Sequence, residues 1–323
     1  RTEIIDSEEE IDIEDLIERH ECVITLTNSG YIKRLPAETY SAQHRGGKGL
    51  IAMSTKEEDY IERVVSVNSH SHLMLFTNKG RVQSIKAYRI NEASRTAKGS
   101  NIVNILELSA GEKVTAAISV NDFAADEYLF MVTKNGIVKK TLLSEFEYQR
   151  SKGKRAINLD EDDELIFVRH TTGNESLIIA TRDGNAVRFD ENNVRAMGRA
   201  ARGVRGITLS SDDVVVGVCV VDEEKSLLTV TENGMGKRTL FSDFREMKHR
   251  GGKGVTCHHI SEKTGKLAAI LTVDEDDDIM LITDEGTIIR TSVSGINVYS
   301  RTATGVILMR LADGAYINNI ARL

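Results

Sequence analysis

The chain has 323 residues, 40% of them apolar, with one proline, no tryptophan and a formal net charge of −7. No uninterrupted apolar run approaches the roughly 20 residues of a membrane span, and no signal-peptide pattern opens the chain, so neither a membrane partner nor a leader is indicated. Three cysteines, Cys22, Cys219 and Cys257, without CxxC spacing, read as reduced thiols of a cytoplasmic protein and not as a disulfide frame.

The opening is acidic. Residues 1–21 hold ten acids against Arg1 and Arg19, and read as a partly helical lead-in or linker to a single domain over residues 22–323. With Arg1 and no methionine at its start, the sequence reads as a domain excised from something longer. Beyond residue 21 the charges balance to within one, and two short runs, residues 160–164 and 274–278, concentrate ten of the acids. What remains is basic, a local field that the global sum hides and that suits a polyanion.

A repeat starts at Thr27-Asn28-Ser29-Gly30. The same Thr-x-x-Gly word returns with its glycine at Gly80, Gly136, Gly184, Gly234 and Gly286, at spacings of 48 to 56 residues. Strand-like runs flank each copy, as in residues 73–76 and 81–85, so each reads as a β-hairpin whose glycine supplies a positive φ. Residues 102–106 and 62–67 read as further strands, giving four strands per repeat. Six such units predict an all-β, propeller-like ring, in which radial repetition leaves only short protected edges. The C-terminal residues 316–320 are expected to complete the first blade and so close the ring.

After the first hairpin comes Gln43-His44-Arg45-Gly46-Gly47-Lys48-Gly49, three glycines and two fixed cations in seven residues. Such a loop can lie close against a partner while projecting charge toward an anion. It recurs as Lys248-His249-Arg250-Gly251-Gly252-Lys253-Gly254. In eroded form it appears in every repeat, where Arg95, Lys98, Arg150, Lys152, Lys154, Arg155, Arg199, Arg202, Arg205 and Arg301 keep at least one base in each loop. The strands after the hairpins add Lys33, Arg34, Arg81, Lys139, Lys140, Arg188, Lys237, Arg238 and Arg290. Cations recurring at one position around a ring form a basic track for phosphates, and no base-reading helix is visible, so sequence-independent binding is expected. Aromatic residues are only 5% of the chain, which disfavours single strands, for which stacking platforms are needed, and leaves duplex DNA. A disc of this kind has a rim of roughly 40 base pairs, well below the DNA persistence length of about 150, so binding must bend the duplex.

Other chemistries find little support. Gly47-Lys48-Gly49 lacks the following Ser or Thr of a P-loop, Cys257-His258-His259 has no distant partner pair for a metal, and residues 274–278 lack the glycine and terminal glutamate of an EF-hand loop. No catalytic constellation assembles at identifiable spacing.

The word Gln43 through Gly49 resembles the gyrase A box, the seven-residue signature of the C-terminal DNA-wrapping domain of gyrase A, part of a bacterial type IIA topoisomerase. The likeness extends over the six hairpins and to Thr304-Gly305-Val306-Ile307-Leu308. It implies a six-bladed β-pinwheel that wraps double-stranded DNA around its rim with a positive, right-handed sense, so that the parent enzyme can introduce negative supercoils. It also implies a non-catalytic fragment without cofactor, monomeric in isolation. Its partners would be the N-terminal cleavage-religation part of gyrase A and the gyrase B polypeptide in an A2B2 enzyme, which use ATP and Mg2+ elsewhere. His44 departs from the usual basic residue and Lys248 replaces glutamine in the second copy, and the acidic tail that some members carry after the last blade is not expected here. The matching domain of topoisomerase IV, or a propeller used as a protein-interaction scaffold, are the alternatives.

Overall fold

A computed structural model of the chain describes residues 13–37, 59, 61–94, 96–123, 126–147, 153–285 and 287–322. A 3-10 turn at Ile13–Leu16 precedes the first repeat, which contributes β1 (Glu21–Thr27), β2 (Tyr31–Pro36) and β3 (Ile61–Asn68). The second repeat contributes β4 (His72–Thr77), β5 (Arg81–Lys86), β6 (Ser100–Asn101) and β7 (Val114–Val120). The third gives β8 (Tyr128–Thr133), β9 (Ile137–Leu142), β10 (Lys154–Arg155) and β11 (Leu165–Thr171). The fourth gives β12 (Ser176–Thr181), β13 (Asn185–Asp190), β14 (Val204–Arg205) and β15 (Val215–Val220). From the fifth come β16 (Ser226–Thr231), β17 (Met235–Leu240), β18 (Glu246–Met247), β19 (Val255–Thr256) and β20 (Leu267–Val273). The sixth supplies β21 (Asp278–Thr283), β22 (Ile288–Ser292), β23 (Val306–Ile307) and β24 (Ile317–Arg322).

The Thr-x-x-Gly word explains each hairpin. Gly30, Gly80, Gly136, Gly184 and Gly234 have φ between 72° and 82°, a region open mainly to glycine, and each N–H donates to the carbonyl of the threonine three residues back. The threonine hydroxyl accepts from the N–H four residues on, at 3.0 Å for Thr27, 3.3 Å for Thr77, 3.1 Å for Thr133 and 3.0 Å for Thr283. A β-bulge falls beside this hairpin corner in all six sheets. The irregularity is a repeated device that turns the strand toward its neighbour.

Each of the first five hairpins gains one strand on either side. The long strand that ends a repeat pairs with the first strand of the hairpin, and the two-residue strand pairs with the second strand of the preceding repeat's hairpin, giving orders β3-β1-β2-β6, β10-β5-β4-β7, β11-β8-β9-β14, β15-β12-β13-β19 and β20-β16-β17-β23. In these five sheets the outermost strand is thus borrowed from the next repeat. The fourth sheet carries β18 as well, parallel to β13. The sixth shows β22-β21-β24 among the described residues.

Two expectations change in detail. Ile102–Asn104 is a 3-10 turn and not a strand, because Asn101 ends the pairing and its side-chain oxygen accepts from Val103 N–H at 3.1 Å. The short strand of that repeat is Ser100–Asn101. The C-terminal strand β24 pairs with β21 in the sixth blade, Leu281 opposite Ile320, and does not complete the first blade. The first blade is filled by its own β3 and by β6, so no vacant pairing edge receives the C-terminus.

The ring closes through its innermost strands, which neighbour one another in the succession β3, β7, β11, β15, β20, β24 and back to β3. Side chains stitch this circle together: Thr115 Oγ1 donates to Leu165 O at 2.7 Å, Arg169 Nε to Val218 O at 3.1 Å, Thr272 Oγ1 to Val220 O at 2.9 Å, and Asn319 Nδ2 to Glu62 O at 3.3 Å. Apolar clusters fill the spaces between successive blades, from Ile24, Leu73 and Leu75 between the first two to Leu228, Leu281 and Ile317 between the fifth and sixth. Each fully buried aliphatic side chain contributes about 1.5–3 kcal/mol, so the blade interfaces carry the fold. Among the described residues the sixth and first blades share no such cluster. No helix of the described residues is long and apolar enough to cross a membrane.

Candidate nucleic-acid interface

The borrowed strands lie farthest from the innermost circle, so the loops that lead into them form the rim. Gln43, His44, Arg45, Gly46, Gly47, Lys48 and Gly49 fall outside the described residues, as do Arg95, Arg150 and Lys152. The second copy, residues 248–254, is described and shows how the loop is built. Gly251 and Gly254 have φ of 84° and 78°, and a Cβ on Gly254 would sit 2.3 Å from Ala186 O, so only glycine lets the loop press onto the fourth blade. Arg250 faces inward: its Nε donates to Asn193 O at 3.1 Å and its Nη1 to Arg205 O at 2.8 Å. Lys253 and Lys248 are exposed, with no hydrogen bond or ion pair among the described residues.

Neighbouring loops are tied into a belt. Asn158 N–H donates to Ala201 O at 3.2 Å, Thr208 Oγ1 to Gly251 O at 2.7 Å, and Arg301 Nη1 to Thr256 O at 2.8 Å, each linking consecutive repeats. From the third repeat to the sixth the rim is therefore connected.

The predicted cations separate into two populations. Lys98, Arg155, Arg202, Arg205 and Lys253 are exposed on the rim loops or half-exposed there, and Lys154 and Arg199 are half-buried. Lys98 lies 3.9 Å from the Tyr31 ring centre and Arg202 pairs with Asp160. Arg195, Arg245 and Lys248 join this set. Neither Arg195 nor Arg245 is among the cations expected from the sequence: Arg195 opens the stretch that leads into its loop's glycines, and Arg245 lies ahead of residues 248–254.

The second population corrects the expectation that the post-hairpin cations face a ligand. Lys33, Lys139 and Lys237 are 1%, 0% and 0% exposed. Their ammonium groups donate to loop carbonyls of the following repeat: Lys33 to Ala97 O at 2.9 Å, Lys139 to Arg199 O at 2.5 Å, Lys237 to Ser300 and Arg301 O at 2.6 Å each. Burial pushes the lysines down, Lys139 and Lys237 to about 8. Arg34, Lys140 and Arg238 are also buried, donating to Ile90 O, Gly173 O and Ile296 O. Arg188 donates to Phe241 O at 2.9 Å, and Arg290 pairs with Asp278. Arg81 pairs at 2.9 Å with the buried Glu112. Burial alone would raise the Glu112 carboxyl, but hydrogen bonds from Ser109 and Thr77 and the Arg81 charge outweigh it and hold it below its ordinary range. Arg290 remains exposed and pairs within its own hairpin, and Arg81 is half-buried; the others hold the loops and do not present charge.

One acidic role was missed. Asp59 accepts from Thr27 Oγ1 and Ser29 N–H at 2.9 Å each, Asp163 from Asn135 N–H at 2.9 Å, and Asp213 from Asp183 N–H at 3.0 Å, so a carboxylate ahead of the innermost strand grips the hairpin turn. Asp163 belongs to the run at 160–164, which in the sequence shows only as concentrated charge.

Comparison with known proteins agrees with this geometry. The model of the family described as DNA gyrase C-terminal domain, beta-propeller, matches residues 23–68, 71–121, 127–172, 175–222, 225–274 and 277–323, one match per blade. The chain is 45% identical to the DNA gyrase A polypeptide of Staphylococcus epidermidis over 327 residues and 44% identical to that of Staphylococcus aureus over 330, covering all of this chain in both cases. It spans 36% and 37% of those relatives' lengths. Among solved structures, a DNA gyrase A C-terminal domain superposes with a TM-score of 0.79 at 29% identity, over 94% of this chain and 99% of that one. The C-terminal domain of a DNA topoisomerase IV gives 0.79 at 26%, over 95% and 94%. The chain belongs to the DNA gyrase C-terminal domain family of β-propellers, and corresponds to the C-terminal part of gyrase A.

Proposed function

We propose that the domain binds duplex DNA without sequence preference and wraps it along the rim in a positive sense, serving an ATP-dependent negative-supercoiling enzyme. The supporting observation is the succession of exposed cations, Arg195, Arg205, Arg245, Lys248 and Lys253, without partners among the described residues, on the outer edge of consecutive blades. Each phosphate neutralised releases condensed counterions, so the gain accumulates around the rim and offsets the cost of bending. In this reading cleavage, religation and ATP hydrolysis with Mg2+ belong to the N-terminal part of gyrase A and to gyrase B of an A2B2 assembly in the cytoplasm. The domain supplies the path of the DNA.

The equal structural likeness to a topoisomerase IV domain favours a second reading, in which the rim guides DNA for decatenation without a full wrap. One experiment separates these. Relaxed plasmid is incubated with the domain and a nicking-closing topoisomerase, and the linking number is read after protein removal. A positive shift is expected. Binding without a shift rejects wrapping, and no binding at low salt rejects the DNA interface in favour of a protein-interaction scaffold.

A further inference from the structure

Sheet register identifies equivalent positions on five blades. Asn101, Arg155, Arg205, Thr256 and Ile307 each pair with the residue that follows a hairpin glycine, opposite Tyr31, Arg81, Ile137, Asn185 and Met235. The rim position that is arginine on the second and third blades is an isoleucine on the fifth, and it is 57% exposed. The surroundings change with it. Residues 194–205, seated on the third blade, carry four arginines and no acid, whereas residues 296–307, seated on the fifth, carry one base, Arg301. That guanidinium is committed to Thr256 O. Leu240 and Val298 are also exposed along the outer edge of β17, at 47% and 45%. Arg310, beyond the borrowed strand, is an exposed base, as is Lys263 beside the fifth blade's hairpin turn.

From this asymmetry we infer that wrapped duplex leaves the rim at the fifth blade, its contact arc running across the third and fourth blades and ending where the sixth repeat's loop is seated. The inference rests on the DNA-binding reading above. DNA follows a curved surface only while released counterions offset its bending energy. Exposed Ile307, Val298 and Leu240 release none, so at this edge the duplex straightens and departs.

Single exposed cysteines can map the path, because native Cys22, Cys219 and Cys257 are buried and escape labelling. Suitable sites are Ala200→Cys on the third blade's rim, Gly252→Cys on the fourth, where an added Cβ meets nothing closer than 3.9 Å, and Ile307→Cys on the fifth. Each is coupled to an iron–EDTA reagent and bound to linear duplex at low salt, and strand scission is quantified. Cleavage is expected from positions 200 and 252, and at least tenfold less from 307. Comparable cleavage from 307 would overturn the inference while leaving DNA binding intact. Scission from none of the three, with no retention of duplex, would overturn the binding reading itself.

Discussion

The Lys139 ammonium lies 2.5 Å from the backbone oxygen of Arg199, sixty residues on in sequence and in the next repeat. It also donates to Ala156 O at 2.6 Å, so one buried charge pins two rim loops to the third blade. Lys139→Met removes both donors and the desolvation cost of the charge together. An unpaired buried carbonyl costs about 1–3 kcal/mol, so net destabilisation of that order is expected, with chemical denaturation as the measurement.

The same lysines set a pH dependence. Lys139 and Lys237 are held at about 8 by burial, below the value of a lysine in the unfolded chain, near 10.4. Between those values the unfolded chain keeps a proton that the folded chain has released, so stability contributed by each lysine increases as pH rises from about 8 to about 10.4. The slope is at most about 1.4 kcal/mol per pH unit per site. Subtracting the denaturation curves of Lys139→Met and Lys237→Met from the parent at pH 7.5, 9 and 10 should show that rise; a flat difference would refute it.

His258 makes the opposite end of the pH range informative. Its Nε2 lies 3.0 Å from Thr304 O, which can only accept, so Nε2 carries the proton and Nδ1 accepts from Thr229 Oγ1 at 2.8 Å. Burial pushes the imidazole down to about 4. An unfolded histidine titrates near 6.5, so the unfolded chain binds the extra proton first and stability falls as pH drops from about 6.5 to 4. The loss approaches about 3 kcal/mol. A His258→Gln variant should lose less between pH 7 and pH 4.5 than the parent.

The hairpins were legible because their information is local: a threonine, a glycine three residues later and flanking alternation specify turn, bulge and register together. The borrowed strands were not, since nothing within Val204-Arg205 or Val306-Ile307 states which blade's edge a two-residue pairing will choose. C-terminal closure failed for the same reason: residues 316–320 match an innermost strand in spacing, but β3 already fills that place in the first blade. The rim was legible as a recurrence of cations, while the division between presenting and supporting cations was not. Lys33-Arg34 and Lys237-Arg238 look like surface pairs until the next repeat's loop is laid over them.

Glycine substitutions test whether the turns matter by conformation or by close approach. Gly234 and Gly314 have similar φ, 78° and 85°, but a Cβ on Gly234 would sit 2.3 Å from Met309 O, while nothing lies within 4 Å of one on Gly314. Gly314→Ala should cost about 1 kcal/mol from backbone conformation alone. Gly234→Ala should cost clearly more, because a backbone oxygen must also move. Equal melting temperatures for the two variants would contradict this.

The two populations of cations predict different responses to salt. Arg195 and Arg205 are exposed and without partners among the described residues, so replacing both by alanine removes up to two phosphate contacts. The slope of log affinity against log salt should then become shallower by up to about 1.8, at roughly 0.9 per contact on duplex DNA. Lys237 is 0% exposed and its ammonium is spent on Ser300 and Arg301 carbonyls. Replacing it with methionine takes away a formal charge of the same sign, yet no phosphate can reach that position. The salt slope of Lys237→Met should match the parent while its melting temperature falls, and a slope reduced by nearly one unit would show that the buried lysine reaches the DNA after all.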